Sequence, residues 1–281
     1  MEPRAYSASP VGLNFLGIGY GWSTGSVILD PTLPISDIHA TVQGPRIGIG
    51  HTFNLLGDLG LVTAVVPYAI AHVTGNVFEQ GAETRRSGLS DALFKLSVNL
   101  IGNPAVSPRE FRSAPPRDTI VGASVTVAAP VGQYDDTKLI NLGTNRWSFK
   151  PEMGISEPKG RWYLDAYGGV WLFTANRDFF PGGSTRTQDP VLTIQGHVTY
   201  EFASGLWIAV DGTSYRGGST RVNDGNPSPA LNKARAGVTV SIPVASYQVK
   251  VIFSSGGTTR VLGNFNTLSA IWQMSWLADP L

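Results

Sequence analysis

The chain has 281 residues, no cysteine, only 15% charged residues and no long unbroken apolar run. Without cysteine there is no disulfide scaffold, thiolate zinc site or cysteine nucleophile. Soluble domains carry roughly 25% charged residues, so there are too few here for an ordinary soluble surface. The 21 Lys and Arg nearly cancel the 20 Asp and Glu, leaving a net charge of +1. With no global field to gather polyanions, no nucleic-acid partner is expected. The longest apolar stretch, residues 60–73, is interrupted by Thr63, Pro67 and His72. It falls short of the roughly 20 residues a spanning helix needs, which excludes a helical membrane protein but not a barrel. The four histidines, His39, His51, His72 and His197, are isolated and show no metal-ligand spacing, so neither metal nor cofactor is expected.

What the chain does have is alternation. In residues 191–202, Leu192, Ile194, Val198, Tyr200 and Phe202 alternate with Thr193, Gln195, His197, Thr199 and Glu201, as a strand between two different solvents requires. Twelve such segments lie near 11–22, 37–53, 60–74, 90–101, 119–129, 146–156, 161–174, 190–202, 205–215, 232–243, 246–255 and 265–277. They are nearer to tilted membrane strands in length than to the roughly 5–6 residues of globular sheets. The second segment is expected to change parity at Gly44-Pro45 through a bulge, so that Ile38, Ala40 and Val42 share the outer face with Ile47 and Ile49. Connections alternate between short turns and long loops, except residues 102–118, a long connection at the short-turn end. Aromatics gather at both ends of the apolar faces: Trp162, Tyr200, Phe202, Tyr247 and Trp276 at one, Tyr20, Trp22 and Trp147 at the other. This is the pattern of an all-β, twelve-stranded, antiparallel up-and-down transmembrane barrel. Alternation by itself fits a soluble or surface β-sandwich binding module equally well.

Several ordered motifs add a resemblance. Residues 129–134 (Ala-Pro-Val-Gly-Gln-Tyr), 139–152 with Asn141, Asn145, Arg146 and Trp147, 171–179, Gln188-Asp-Pro190, His197 with Tyr200, 205–207 and 215–218 resemble the family of bacterial outer-membrane channels for the phenol-degradation meta-pathway. The opening Glu2-Pro-Arg-Ala-Tyr-Ser7 resembles the start of mature family members and has no apolar core of a signal peptide. The resemblance implies one barrel domain over 1–281, with 1–10 as a periplasmic segment and 102–118 as a long periplasmic connection. It implies a monomer in the bacterial outer membrane, its signal peptide removed, that passes small organic solutes. The partners would be outer-membrane lipid with lipopolysaccharide, the barrel assembly machinery and the solute itself. An outer-membrane phospholipase is the remote alternative, but its His-x-Ser pair is missing: the four histidines are followed two residues later by Thr41, Phe53, Thr74 and Thr199.

If apolar faces meet lipid, the opposite faces line a lumen. Parity places there the cations Arg46, Lys95, Arg146, Lys150, Arg161, Lys233, Arg235 and Lys250, and the anions Asp91, Glu152, Asp165, Glu201 and Asp211. Such a wall is mildly basic, and charges in a narrow pore set selectivity. Lys150 with Glu152, and Arg161 with Glu201, are expected as structural partners. His197 is read as a hydrogen-bonding wall residue. Two loops are candidates for the constriction: 130–145 with Tyr134, Asn141 and Asn145, and 175–189 with Arg177, Phe179 and Phe180, where an aromatic pair beside an arginine suits a flat organic anion. The expectation is a non-enzymatic channel for passive uptake of small aromatic, hydrophobic or anionic organic molecules.

Overall fold

The computed structural model describes residues 2–27, 35–77, 80–113, 118–258 and 263–277. The strands are β1 (Leu13–Val27), β2 (Ile35–Leu55), β3 (Asp58–Val77), β4 (Gln80–Leu89), β5 (Ala92–Pro104), β6 (Ile120–Ala129), β7 (Ser148–Lys159) and β8 (Trp162–Phe173). They continue as β9 (Asn176–Phe179), β10 (Ser184–Gln188), β11 (Val191–Glu201), β12 (Trp207–Gly217), β13 (Thr220–Val222), β14 (Leu231–Val244), β15 (Tyr247–Gly257) and β16 (Asn264–Leu277). Twelve of them form one closed antiparallel ring, in the order β1, β2, β3, β5, β6, β7, β8, β11, β12, β14, β15, β16 and back to β1. Closure leaves the ring no free edge, the condition a sheet must meet in hydrocarbon. The twelve expected segments are these twelve strands. The strand β4, inside the expected loop 75–89, extends the β3 hairpin above the ring, while β9, β10 and β13 form a small separate sheet at the long-loop end.

Ile18, Ile49, Phe94, Met153, Ile194, Val210 and Phe253 stand exposed on the outer face. Exposed Tyr20, Trp22, Tyr68 and Trp147 ring the long-loop end, and Trp162, Phe202, Tyr247 and Trp276 the other. An apolar belt between two aromatic rings is stable only where hydrocarbon meets headgroups. At the short-turn end, Leu56 and Gly57 both adopt positive φ (56° and 102°), the twist a two-residue hairpin turn needs. The 102–118 connection carries a helix, α1 (Pro108–Ser113), started by a reciprocal cap: the Glu110 carboxylate accepts the Ser107 N–H at 2.8 Å and Ser107 Oγ accepts the Glu110 N–H at 3.3 Å.

Two features differ from expectation. First, the β1–β2 register runs unbroken through Tyr20↔Pro45 and Gly21↔Gly44, so no parity change occurs there; the irregularity lies between Ser36 and His39, against β3. Ile38 and Ala40 are therefore buried inside the barrel, while Ile47 and Ile49 face out. Second, the amino-terminal segment, for which no place in the barrel was expected, folds into the lumen from the short-turn end. A barrel of twelve strands is wider than its wall side chains can fill, and this segment occupies part of the space. Tyr6 is 1% exposed, packs edge-on to Tyr167 with ring centroids 5.2 Å apart, and shares a hydrogen bond with Ser124 at 3.0 Å. Its socket exists because Gly122 and Gly154, paired across β6 and β7, have no side chains: a Cβ would come within 2.2 Å and 2.6 Å of the ring. Farther along, Ser9 N–H donates to Asn103 at 3.0 Å, and Thr52 Oγ1 donates to the Pro10 carbonyl at 2.7 Å.

Gly122→Ala is therefore expected to displace Tyr6 and raise single-channel conductance, with the barrel still folded. Planar-bilayer recording beside a heated and unheated gel checks this, and unchanged conductance in a folded variant contradicts the plug.

Candidate functional site

The lumen has two unlike halves. On β7, β8, β11, β12 and β14 it is polar and densely hydrogen-bonded. Lys150 Nζ donates to Glu152 Oε2 at 2.8 Å, as expected, and Gln195 donates to the same oxygen at 2.9 Å. His197 Nδ1 meets Asp211 Oδ1 at 2.6 Å, Thr239 donates to Asp211 Oδ2 at 2.8 Å, and His197 and Asp211 are fully buried. Asp165 accepts from Ser156 and from the Arg4 backbone N–H at 3.0 Å. Glu201 pairs with Arg4 at 2.9 Å rather than with Arg161, which sits exposed in the β7–β8 turn and supplies only a backbone carbonyl to Glu201. The Arg4 guanidinium also lies 4.1 Å from the Tyr163 ring centroid. Pairing and hydrogen bonding offset the desolvation of these groups, so this half serves as a dock for the amino-terminal segment.

The other half, on β1, β2, β3, β5 and β16, is open. Toward the long loops lies a cavity of about 380 Å³ lined by Ile38, Ala40, Val42, Ala69, Ala71 and Val73, with Leu142, Phe179 and Phe265 closing it. Toward the short turns, a second cavity of about 400 Å³ is lined by Phe15, Leu59, Leu61, Val65 and Leu93, with Lys95, Lys250 and Gln273 at its polar side. The inner face of β3 runs through both. A third, of about 180 Å³, lies between Arg146, Trp171, Phe173, Asn176 and Arg186.

Loop 130–147 roofs the upper cavity and is held by two side chains. Asp91, 1% exposed at the break between β4 and β5, accepts the Gly132 N–H at 3.2 Å, the Thr144 N–H at 2.9 Å and Thr144 Oγ1 at 2.6 Å. Asn176 donates to Tyr134 Oη at 2.8 Å and accepts from Asn145 Nδ2 at 3.0 Å. Burial raises the Tyr134 phenol above its usual range. It therefore stays neutral as a donor to the Asp178 carbonyl, at 3.0 Å, and that contribution is lost only as pH rises through the raised value. Asn141 closes its own turn by hydrogen bonds to Asp135 and Lys138 while lining the upper cavity. Arg146, buried, donates to Gln188, and its guanidinium lies 4.5 Å from the Phe173 ring centroid.

The remaining expected residues separate. Phe179 reaches the upper cavity, but Phe180 and Arg177 line none of the three. On the four-residue strand β9 the side chain of Asn176 is anchored inward, which turns its neighbour Arg177 out to solvent. The guanidinium over Phe179, 5.2 Å from its centroid, belongs to Arg186. Lys95 binds Glu2 at 2.8 Å, and its ammonium holds the Glu2 carboxyl well below the usual carboxylate range. The pair thus contributes above the ordinary carboxylate pKa and is lost as pH falls through the lowered one. Lys250 donates to Gln273 at 2.9 Å. Arg235 spends its guanidinium on Ser254, Thr267 and the carbonyls of Gly256 and Phe265. Lys233 lies half-buried beside Gly257 near the long-loop end of β14. Most expected wall cations are thus already matched, and the basic excess shrinks. The parity that placed Asp165 inside also places Tyr163, Tyr167 and Trp171 there, a signal that could have marked them as lumen residues.

Removing the Asp91 carboxylate leaves three donors unmet, at about 1–3 kcal/mol each when buried. Asp91→Ala should therefore undock loop 130–147. Trypsin cleavage after Lys138 is the readout: cleavage at least about tenfold faster is expected, and an unchanged rate contradicts the anchoring role.

Comparison with known proteins places this geometry. No curated protein matches the chain. An outer membrane channel from Pseudomonas putida F1, known from its crystal structure, superposes with TM-score 0.79 at 20% identity, over 98% of this chain and 100% of that one. The β domain of the Bordetella autotransporter BrkA superposes with TM-score 0.53 at 11% identity, over 94% of this chain and all of that one. The family model described as "Putative MetA-pathway of phenol degradation" matches residues 32–268, most of the chain. The chain therefore belongs to that family.

Proposed function

We propose that the protein is a channel of the bacterial outer membrane for passive uptake of small aromatic or otherwise apolar organic molecules, acting as a conduit and not as a catalyst. One observation carries this reading. Ile38, Ala40, Val42, Ala69, Ala71 and Val73 point into the barrel, under the loops, around a cavity of about 380 Å³. Channels for hydrophilic solutes have polar interiors, whereas an apolar cavity of roughly 300–1,000 Å³ is what small apolar ligands require. The family's connection with phenol degradation points to the same solutes.

In this reading the long loops face outside and the short turns and both termini face the periplasm, the usual arrangement of such barrels. A solute enters past Tyr134 and Phe179, rests in the upper chamber, follows the inner face of β3 to the lower chamber and leaves where the amino-terminal segment yields. Segment 2–12 closes that exit in the state described, so exit requires its displacement. The barrel serves as a monomer, with lipid and lipopolysaccharide around its belt and the barrel assembly machinery as the partner that inserts it.

Filling the upper chamber tests the reading. Ala71→Phe adds a ring at a site 3% exposed on β3. Uptake of a neutral monoaromatic such as benzyl alcohol into proteoliposomes should fall about tenfold, as expected when a binding volume is lost. A folded variant with unchanged uptake would remove the chamber from the path.

A further inference from the structure

Between the two chambers the lumen wall changes character. On β2 the upper chamber ends at Val42 and the lower begins at Gly48; on β1 the corresponding limits are Ser23 and Gly17. The lumen-facing positions between them are Gly44 and Arg46 on β2, and Gly19 and Gly21 on β1, with Arg46 paired to Gly19 in register. The glycines give the arginine its place. A Cβ at Gly19 would lie 3.3 Å from Arg46 Nε, and one at Gly21 3.8 Å from its Nη2, so the guanidinium is laid along the inner face of β1 over missing side chains.

Arg46 is nevertheless uncompensated. No hydrogen bond, ion pair or ring contact joins it to another described residue, and its Nε is buried without a partner. The contrast with Arg235 on β14 is complete, because that guanidinium meets two hydroxyls and three carbonyls. A guanidinium that only braced the wall would be satisfied in the same way. Leaving a half-buried charge unmatched is costly unless something else meets it.

We propose that Arg46 is a headgroup site at the waist of the channel: it receives the carboxylate of an apolar-bodied monocarboxylate, such as an aromatic acid, as the solute passes from the upper chamber to the lower. This rests on the channel reading above and narrows its solute class. The apolar walls on either side accommodate the body, and the planar fork of the guanidinium, seated over Gly19 and Gly21, donates to the carboxylate. In the motif Gly17-x-Gly19-x-Gly21, which has no nucleotide-binding context in a strand, Gly19 and Gly21 acquire a role as the seat of this arginine.

The test is block of chloride current by benzoate in planar bilayers at neutral pH, with benzyl alcohol as the uncharged probe. In the wild-type protein benzoate should reduce the current at concentrations about tenfold or more below those at which the alcohol does. Arg46→Gln should raise the half-blocking benzoate concentration about tenfold or more, and Arg46→Lys should recover part of the loss. Equal block by benzoate and alcohol in the wild type, which requires no variant to fold, would overturn the proposal; so would unchanged benzoate block in Arg46→Gln. If the wild type passes neither probe faster than empty liposomes, the channel reading itself fails, which is a distinct result from loss of charge discrimination.

Discussion

A backbone in hydrocarbon has to satisfy every N–H and C=O within the protein, and the rest of this structure follows from that constraint. A sheet meets it only by closing, and here β16 returns to β1 through an unbroken register from Leu13↔Leu277 to Gly25↔Phe265. Closure at twelve strands creates an interior that the wall cannot fill by itself. What occupies that interior is then the main variable. In this chain the answer is asymmetric: a folded-in segment that meets the buried carboxylates of one half, and two cavities along the other.

The polar half shows how ionisable groups are tolerated inside a barrel. Each carboxylate there has a named donor, and two of them, Asp165 and Glu201, bind the Arg4 residue of the amino-terminal segment. The wall thus uses its buried anions to hold a plug, not to attract solutes. The other half holds the segment by fewer contacts, Lys95 to Glu2, Asn103 to Ser9 and Thr52 to Pro10, and carries the two cavities, the upper one walled by β2 and β3 aliphatics and the lower one bordered by Lys95, Lys250 and Gln273.

Much of the fold was legible from alternation alone. Twelve strands, two aromatic rings and the common end of both termini follow from a period of two between lipid and water. Two parts were not legible, for physical reasons. β3 is apolar on both faces, with Val62, Val66 and Ile70 outside and Ala69, Ala71 and Val73 inside, so the rule that apolar means lipid-facing has no purchase on it. The same rule forced a parity change at Gly44-Pro45 that the register does not make, and hid the chamber that Ile38, Ala40 and Val42 line. The plug was invisible because a segment with no periodicity docks through isolated residues, Tyr6 into a socket made by Gly122 and Gly154. In the loops, the side chains that meet are not the neighbours expected: Asn176 turns inward and Arg177 outward, and Arg186, ten residues after Asn176, supplies the guanidinium over Phe179.

In the proposed function, solute follows the two cavities along the inner face of β3. Anomalous diffraction from crystals grown with a brominated monoaromatic locates the solute directly. The account predicts bromine beside Ala71 and Val73 in the upper chamber, with a second position near Leu61 and Val65 in the lower. Bromine confined to the outer belt, or bound only on the polar half against β8 and β11, would contradict it.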